Sequence, residues 1–174
     1  MIKIICIAVF SFFLTGSIYE ISIEKADGTG LALDQFQEKK MLVVILPSMQ
    51  SDSGTIFLQQ LDSVSKAQTN YVFIAVPSYE EGYNDAVATE TQQWYRSIVD
   101  TQVLITKGMY THKIGNSQHP LFAWLTNINL NTHFDEDVQG EGSKFFINEN
   151  GELVGELWGN ISFGSSVMQR VFNK

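Results

Sequence analysis

An α/β domain with a central mixed β-sheet flanked by helices is predicted by three features of this chain. Two continuous β-branched runs, Met41–Leu46 and Tyr71–Val76, each stop at a proline. That is the pattern of strands buried on both faces. One amphipathic segment separates them, and an Asn-Gly turn at positions 150–151 joins two further strand-like runs near the C-terminus.

The segment Tyr19–Glu24 alternates with a period of two, Asp27-Gly-Thr-Gly30 turns it, and Leu31–Leu33 returns as the second arm of a hairpin. After the buried run 41–46 comes a loop of small polar residues, Ser48–Gly54. It leads into a helix over about 55–68, with Phe57, Leu61 and Val64 on one stripe and Ser51, Asp52 or Ser53 to cap its start. With the strand at 71–76 this makes a βαβ unit. A helix over 89–99 presents Trp94 and Ile98, and Val103–Thr106 is a third short strand. His119–Leu125 is a helical turn with Pro120 well placed in its first turn. The runs 143–147 and 152–157 form a second hairpin, and an amphipathic helix over about 165–172 closes the chain. Strand, helix, strand, helix, hairpin, helix is the element order of a thioredoxin-like fold, and other three-layer α/β arrangements share most of it.

Residues 1–17 have the three parts of a secretory leader: Lys3, an apolar run from Ile4 to Leu14, and the small residues Thr15-Gly16-Ser17. The run is shorter than the roughly 20 residues of a spanning helix. An uncleaved anchor and a buried strand are the alternatives. The organisation expected is a signal peptide, 1–17, and one domain, 18–174, exported to the periplasm or secreted, with no membrane association after cleavage. The single cysteine of the chain, Cys6, lies inside that leader, so the domain has no disulfide and must rely on its core. Hydrophobic residues make up 44% of the chain, with 12 Phe, 6 Tyr and 3 Trp, which excludes disorder. A net charge of −8 offers no footprint for nucleic acid and disfavours anionic membranes.

Several segments, in one order, resemble the glutathione peroxidase family. Ile18-Tyr-Glu20 with Asp27-Gly28 is similar to its N-terminal hairpin, and Leu31–Phe36 to the segment after it. Met41–Leu46 with Pro47-Ser48 resembles the strand that enters its catalytic loop. Phe73-Ile-Ala-Val-Pro77 resembles the next strand, His119-Pro-Leu-Phe-Ala-Trp-Leu125 its His-Pro-Leu helix opening, and Ser143–Ile147 through Asn150-Gly151 its penultimate hairpin. Peroxiredoxins and other thioredoxin-like lineages share the same fold.

The resemblance implies peroxide reduction by a cysteine or selenocysteine assisted by a glutamine and a Trp-Asn pair. At the matching positions this chain has Gln50 for the peroxidatic residue, Glu80 for the glutamine, and Gly140-Glu141 for the Trp-Asn pair, the last with a register uncertain by one residue. No family site residue is intact. A thiol at a helix N-terminus becomes a thiolate, attacks the O–O bond and cycles through a sulfenic acid; the carboxamide of Gln50 cannot. Ser48, Ser51 and Ser53 lack an evident base and read as loop and cap residues. Met49 is the one sulfur beside the loop and reads as a packed side chain, although peroxide could convert it to a sulfoxide.

Other constellations are weaker. His133-Phe-Asp-Glu-Asp137 with Glu141 collects possible cation ligands but lacks a calcium-loop spacing, so no metal and no cofactor are expected. His112, His119 and His133 are scattered, and His119 reads as a helix-entry residue. Asn160-Ile-Ser162 matches a glycosylation triplet, meaningful only in a source with an endoplasmic reticulum. Three functions follow. The first is a catalytically silent family member acting as a binding or interaction module. The second is a peroxidase or oxidative-stress protein using a non-thiol route through Met49 or a metal. The third is a protein or small-molecule binder whose groove beside Gln50 is lined by Tyr79, Tyr83 and Trp158.

Overall fold

The computed structural model describes residues 16–115 and 117–173. The leader read over 1–17 lies outside them except for Gly16 and Ser17, and so does Cys6. The described residues form seven strands and five α-helices: β1 (Ser22–Glu24), β2 (Gly30–Ala32), β3 (Lys40–Ile45), α1 (Asp52–Ala67), β4 (Tyr71–Val76), α2 (Ala88–Ile98), β5 (Val103–Ile105), α3 (Pro120–Thr126), α4 (Ile128–Asn131), β6 (Lys144–Ile147), β7 (Leu153–Leu157) and α5 (Ser166–Phe172). The five-stranded sheet has the order β5-β4-β3-β6-β7. Strands β3, β4 and β5 are parallel, β6 runs antiparallel to β3, and β7 antiparallel to β6. This is the mixed sheet expected, and β1–β2 is the expected N-terminal antiparallel hairpin.

Strand β3 shows why the sheet is central. Successive side chains of a strand point to opposite faces. Met41, Val43 and Ile45 enter one core with Phe145, Leu121 and Phe122, while Leu42 and Val44 enter the other with Leu58, Leu61 and Tyr95. All five of these β3 residues are fully buried. Helix α3 and the N-terminal segment cover the first face, and α1, α2 and α5 the second.

Two local expectations are corrected. Tyr19 and Glu20 are not strand: Ile18–Glu20 is a 3-10 turn capped by Ser17, whose Oγ accepts from the Tyr19 amide. The Tyr19 hydroxyl instead donates to the Glu149 carbonyl at 3.3 Å, tying the N-terminus to the β6–β7 turn. Short α4 escaped the sequence reading. It is held by Asn131, which is 3% exposed and donates to the Trp124, Leu125 and Phe134 carbonyls, a set of contacts no periodicity reports. His119 caps α3 as anticipated, its Nδ1 accepting from the Leu121 amide.

Candidate functional site

The C-terminal ends of β3 and β4, the start of β6 and the end of β7 all meet at one end of the sheet. In open α/β sheets that is the end where ligands bind. The loop from β3 to α1 lies there, and Ser51 ends it by accepting from the Gly54 amide at 3.1 Å. Gly54 has no alternative: a Cβ there would lie 2.9 Å from the Trp94 ring. The start of α1 can therefore pack flush on α2.

The loop is fixed from across the sheet. One oxygen of Glu141 accepts from the Ser48 amide at 2.6 Å and from the Ser48 hydroxyl at 2.7 Å. The Tyr95 hydroxyl donates to the Pro47 carbonyl at 2.6 Å, and burial raises the pKa of that phenol. Below Glu141, the fully buried Lys144 donates to the carbonyls of Gly142 (2.6 Å) and Ile161 (2.8 Å). Its ammonium lies over the rings of Phe57 and Phe163. With no carboxylate partner, burial pulls the Lys144 pKa down to about 8. Gly142 and Gly159 are in backbone contact, so neither tolerates a side chain.

Of the four positions the sequence singled out, Gln50 is exposed in the loop, and Glu141 reaches that loop through Ser48. Gly140 carries φ +98° and sits against the Glu81 carboxylate. Glu80 points elsewhere. It accepts from the Thr111 amide (2.9 Å), the Ser78 hydroxyl (3.1 Å) and the His112 amide. Burial alone would raise its pKa, but these bonds outweigh it and hold the carboxyl below its ordinary value. Glu80 thus staples the β4 exit to the 109–112 segment. Glu81 next to it binds His112 Nε2 at 2.9 Å, and the Asp137 carboxylate lies 3.9 Å from the other ring nitrogen.

Met49 is not packed, as the sequence suggested, but 73% exposed, because Ser48 and Ser51 anchor the loop on either side and leave it at the tip. The three aromatics differ in exposure: Tyr83 is buried against Gly108, whereas Trp158, which follows β7, is exposed. Tyr79 stacks on Tyr110 and donates to Asp85; burial and that carboxylate push its phenol up to about 12. In the 133–137 segment, Asp135 pairs with Lys113 and Asp137 accepts from the Lys113 amide. Among the described residues no cluster of three or more His, Cys, Asp or Glu has the geometry to hold a metal ion.

Sheet order, N-terminal hairpin and the loop-to-helix site define a thioredoxin-like protein. The chain is 28% identical over 145 residues to "Probable glutathione peroxidase 8" of Arabidopsis thaliana, covering 79% of this chain and 82% of that protein. The crystal structure of Trgpx in apo form matches with a TM-score of 0.68 at 17% identity, over 91% of this chain and 94% of that one. The Trypanosoma cruzi protein GPX1 ("T. cruzi GPX1") matches with a TM-score of 0.61 at 18% identity, over 89% and 94%. No protein-family model matches the chain. The chain is similar in sequence to a glutathione peroxidase and shares the thioredoxin-like fold of these solved structures.

Proposed function

We propose that this protein is an exported glutathione peroxidase-like domain that works by binding and does not turn over peroxide with a thiol. The supporting observation is chemical: Cys6 is the one cysteine in the chain, and Gln50 stands in the loop where the family places its peroxidatic residue. Glu141, Tyr95 and Ser51 hold the loop through the Ser48 amide, the Pro47 carbonyl and the Gly54 amide. Export follows from the leader-like residues 1–17, and no helix among the described residues is long and apolar enough to cross a membrane. The test is a peroxide-consumption assay on purified protein with glutathione or thioredoxin as reductant. Rates at the buffer blank are expected, and turnover well above it would end this reading.

A second reading rests on the exposure of Met49. A hydroperoxide can transfer one oxygen to its thioether, giving a sulfoxide and an alcohol or water, and a separate methionine sulfoxide reductase would restore it. The protein would then be an oxidative-stress sink. Reversible, selective oxidation of Met49 by dilute peroxide, with recovery by a reductase, distinguishes this from passive binding.

A further inference from the structure

Three of the most exposed large apolar side chains of the protein lie around the degenerate site. Met49 is 73% exposed, Trp158 59% and Ile56 53%. Their grouping follows from the contacts beneath them. Met49 adjoins Ser48, which Glu141 grips; Trp158 adjoins Gly159, whose backbone abuts Gly142; and Ile56 adjoins Phe57, whose ring also lies against Gly142. On the other side of Ser48 are carboxylates. Gly82 abuts the Ser48 hydroxyl, Glu81 beside it binds His112, and Asp137 lies against the same imidazole. Lys113 is committed to Asp135, and Lys144 is buried. One end of the sheet therefore carries an apolar half over β6, β7 and α1 and an anionic half over β4.

Resting on the binding reading above, we infer that this face docks an extended, basic and aliphatic segment of another protein. Charge selects the occupant. A second copy of this chain, at net −8, would bring like charge against Glu81, Asp137 and Glu141, which disfavours association. Lysine or arginine side chains meet the carboxylates of Glu81, Asp137 and Glu141 there, whose partners in the structure are His112, backbone amides and Ser48. From β7, which Trp158 follows, to β4, from which the Glu81 loop leaves, is three strand spacings, about 14 Å, a distance four or five extended residues span. Such a segment sets a leucine-like side chain on Trp158 and Met49 and a cation on Glu81. The clefts elsewhere do not compete for this role: those of 550, 490, 450 and 360 Å³ contain none of these residues.

The test titrates the full-length isotope-labelled protein with a synthetic peptide of alternating leucine and lysine, capped at both ends. Two controls have glutamate in place of lysine or serine in place of leucine. Expected are amide shift changes at positions 48–50, 56, 81, 141 and 158 with the first peptide alone, weakening as salt rises. Trp158→Ser and Glu81→Gln should each lower affinity by about fivefold or more, with unfolding midpoints near the parent's. Equal binding of the glutamate peptide, shifts centred on another surface, or indifference to both substitutions would overturn the inference. So would self-association abolished by Trp158→Ser, which would assign the face to a second copy. Thiol-dependent peroxide turnover would sink the binding-only reading without moving these shifts, so the two failures are separable.

Discussion

A single carboxylate oxygen of Glu141 takes both the amide and the hydroxyl hydrogen of Ser48, at 2.6 and 2.7 Å, across 93 residues of chain. This contact ties the segment before β6 to the loop after β3 at one end of the sheet.

Removing that contact should loosen the loop before it unfolds the domain. Glu141 is exposed, so solvent screening discounts the charged hydrogen bonds. Glu141→Ala is expected to destabilise by about 1 kcal/mol. Amide exchange at Ser48 and Met49 should accelerate well beyond what that loss explains. Exchange unchanged at Ser48 would show that Pro47 and Tyr95 hold the loop alone.

Methionine oxidation should be sharply selective. Met49 is 73% exposed, whereas Met41 and Met168 are fully buried and Met109 is 4% exposed. Dilute hydrogen peroxide followed by peptide mass analysis should give sulfoxide at Met49 well ahead of the other three. The unfolding midpoint should stay put, since no core contact is lost. Early oxidation of Met41 or Met168 would contradict the burial described.

Lys144 predicts a stability that climbs at alkaline pH. Its folded pKa, about 8, lies below the ordinary 10.5 because burial disfavours the ammonium. Between those values the unfolded chain binds more protons, so unfolding becomes harder as pH rises. The gain is of order 3 kcal/mol across the window, measured by denaturant melts at pH 7.5 and 10. Lys144→Met should flatten the profile, while freeing the Gly142 and Ile161 carbonyls.

Glu156 predicts the opposite slope at lower pH. Burial, with Glu136 and Asp137 adding to it, raises its pKa from 4.5 to about 7, and both carboxylate oxygens are buried without a hydrogen-bond partner. Between those values the folded state holds the extra proton, so stability falls as pH rises from 4.5 to 7 and levels off above. Glu156→Gln should remove that decline, leaving thermal midpoints at pH 5 and 7 closer together than in the parent.

Much of the fold was legible because its elements announce themselves locally. The buried strands β3 and β4 are β-branched runs closed by proline. Ser51 and His119 are cap residues in the expected places, and Asn150-Gly151 turns the last hairpin. The site was legible only as a set of replacements. That Glu80 turns to Thr111, that Glu141 reaches Ser48, and that Glu81 meets His112 depend on partners 31 to 93 residues apart, and periodicity carries no such pairing. Lys144 shows the same limit. Nothing local marks a lysine within Ser143-Lys-Phe-Phe-Ile147 as buried rather than snorkelling to the surface.

By itself the sequence determined the element order, both buried strands and the absence of a sulfhydryl from positions 18–174, because hydrophobic period, turn chemistry and residue identity are written one position at a time. The tertiary structure alone decided that Met49 is presented and not packed, that Tyr83 is buried while Trp158 is exposed, and that a carboxylate from the segment before β6 clamps the loop after β3. Those outcomes depend on strand order and on long-range hydrogen bonds, which exist only once the sheet has brought distant segments to one end.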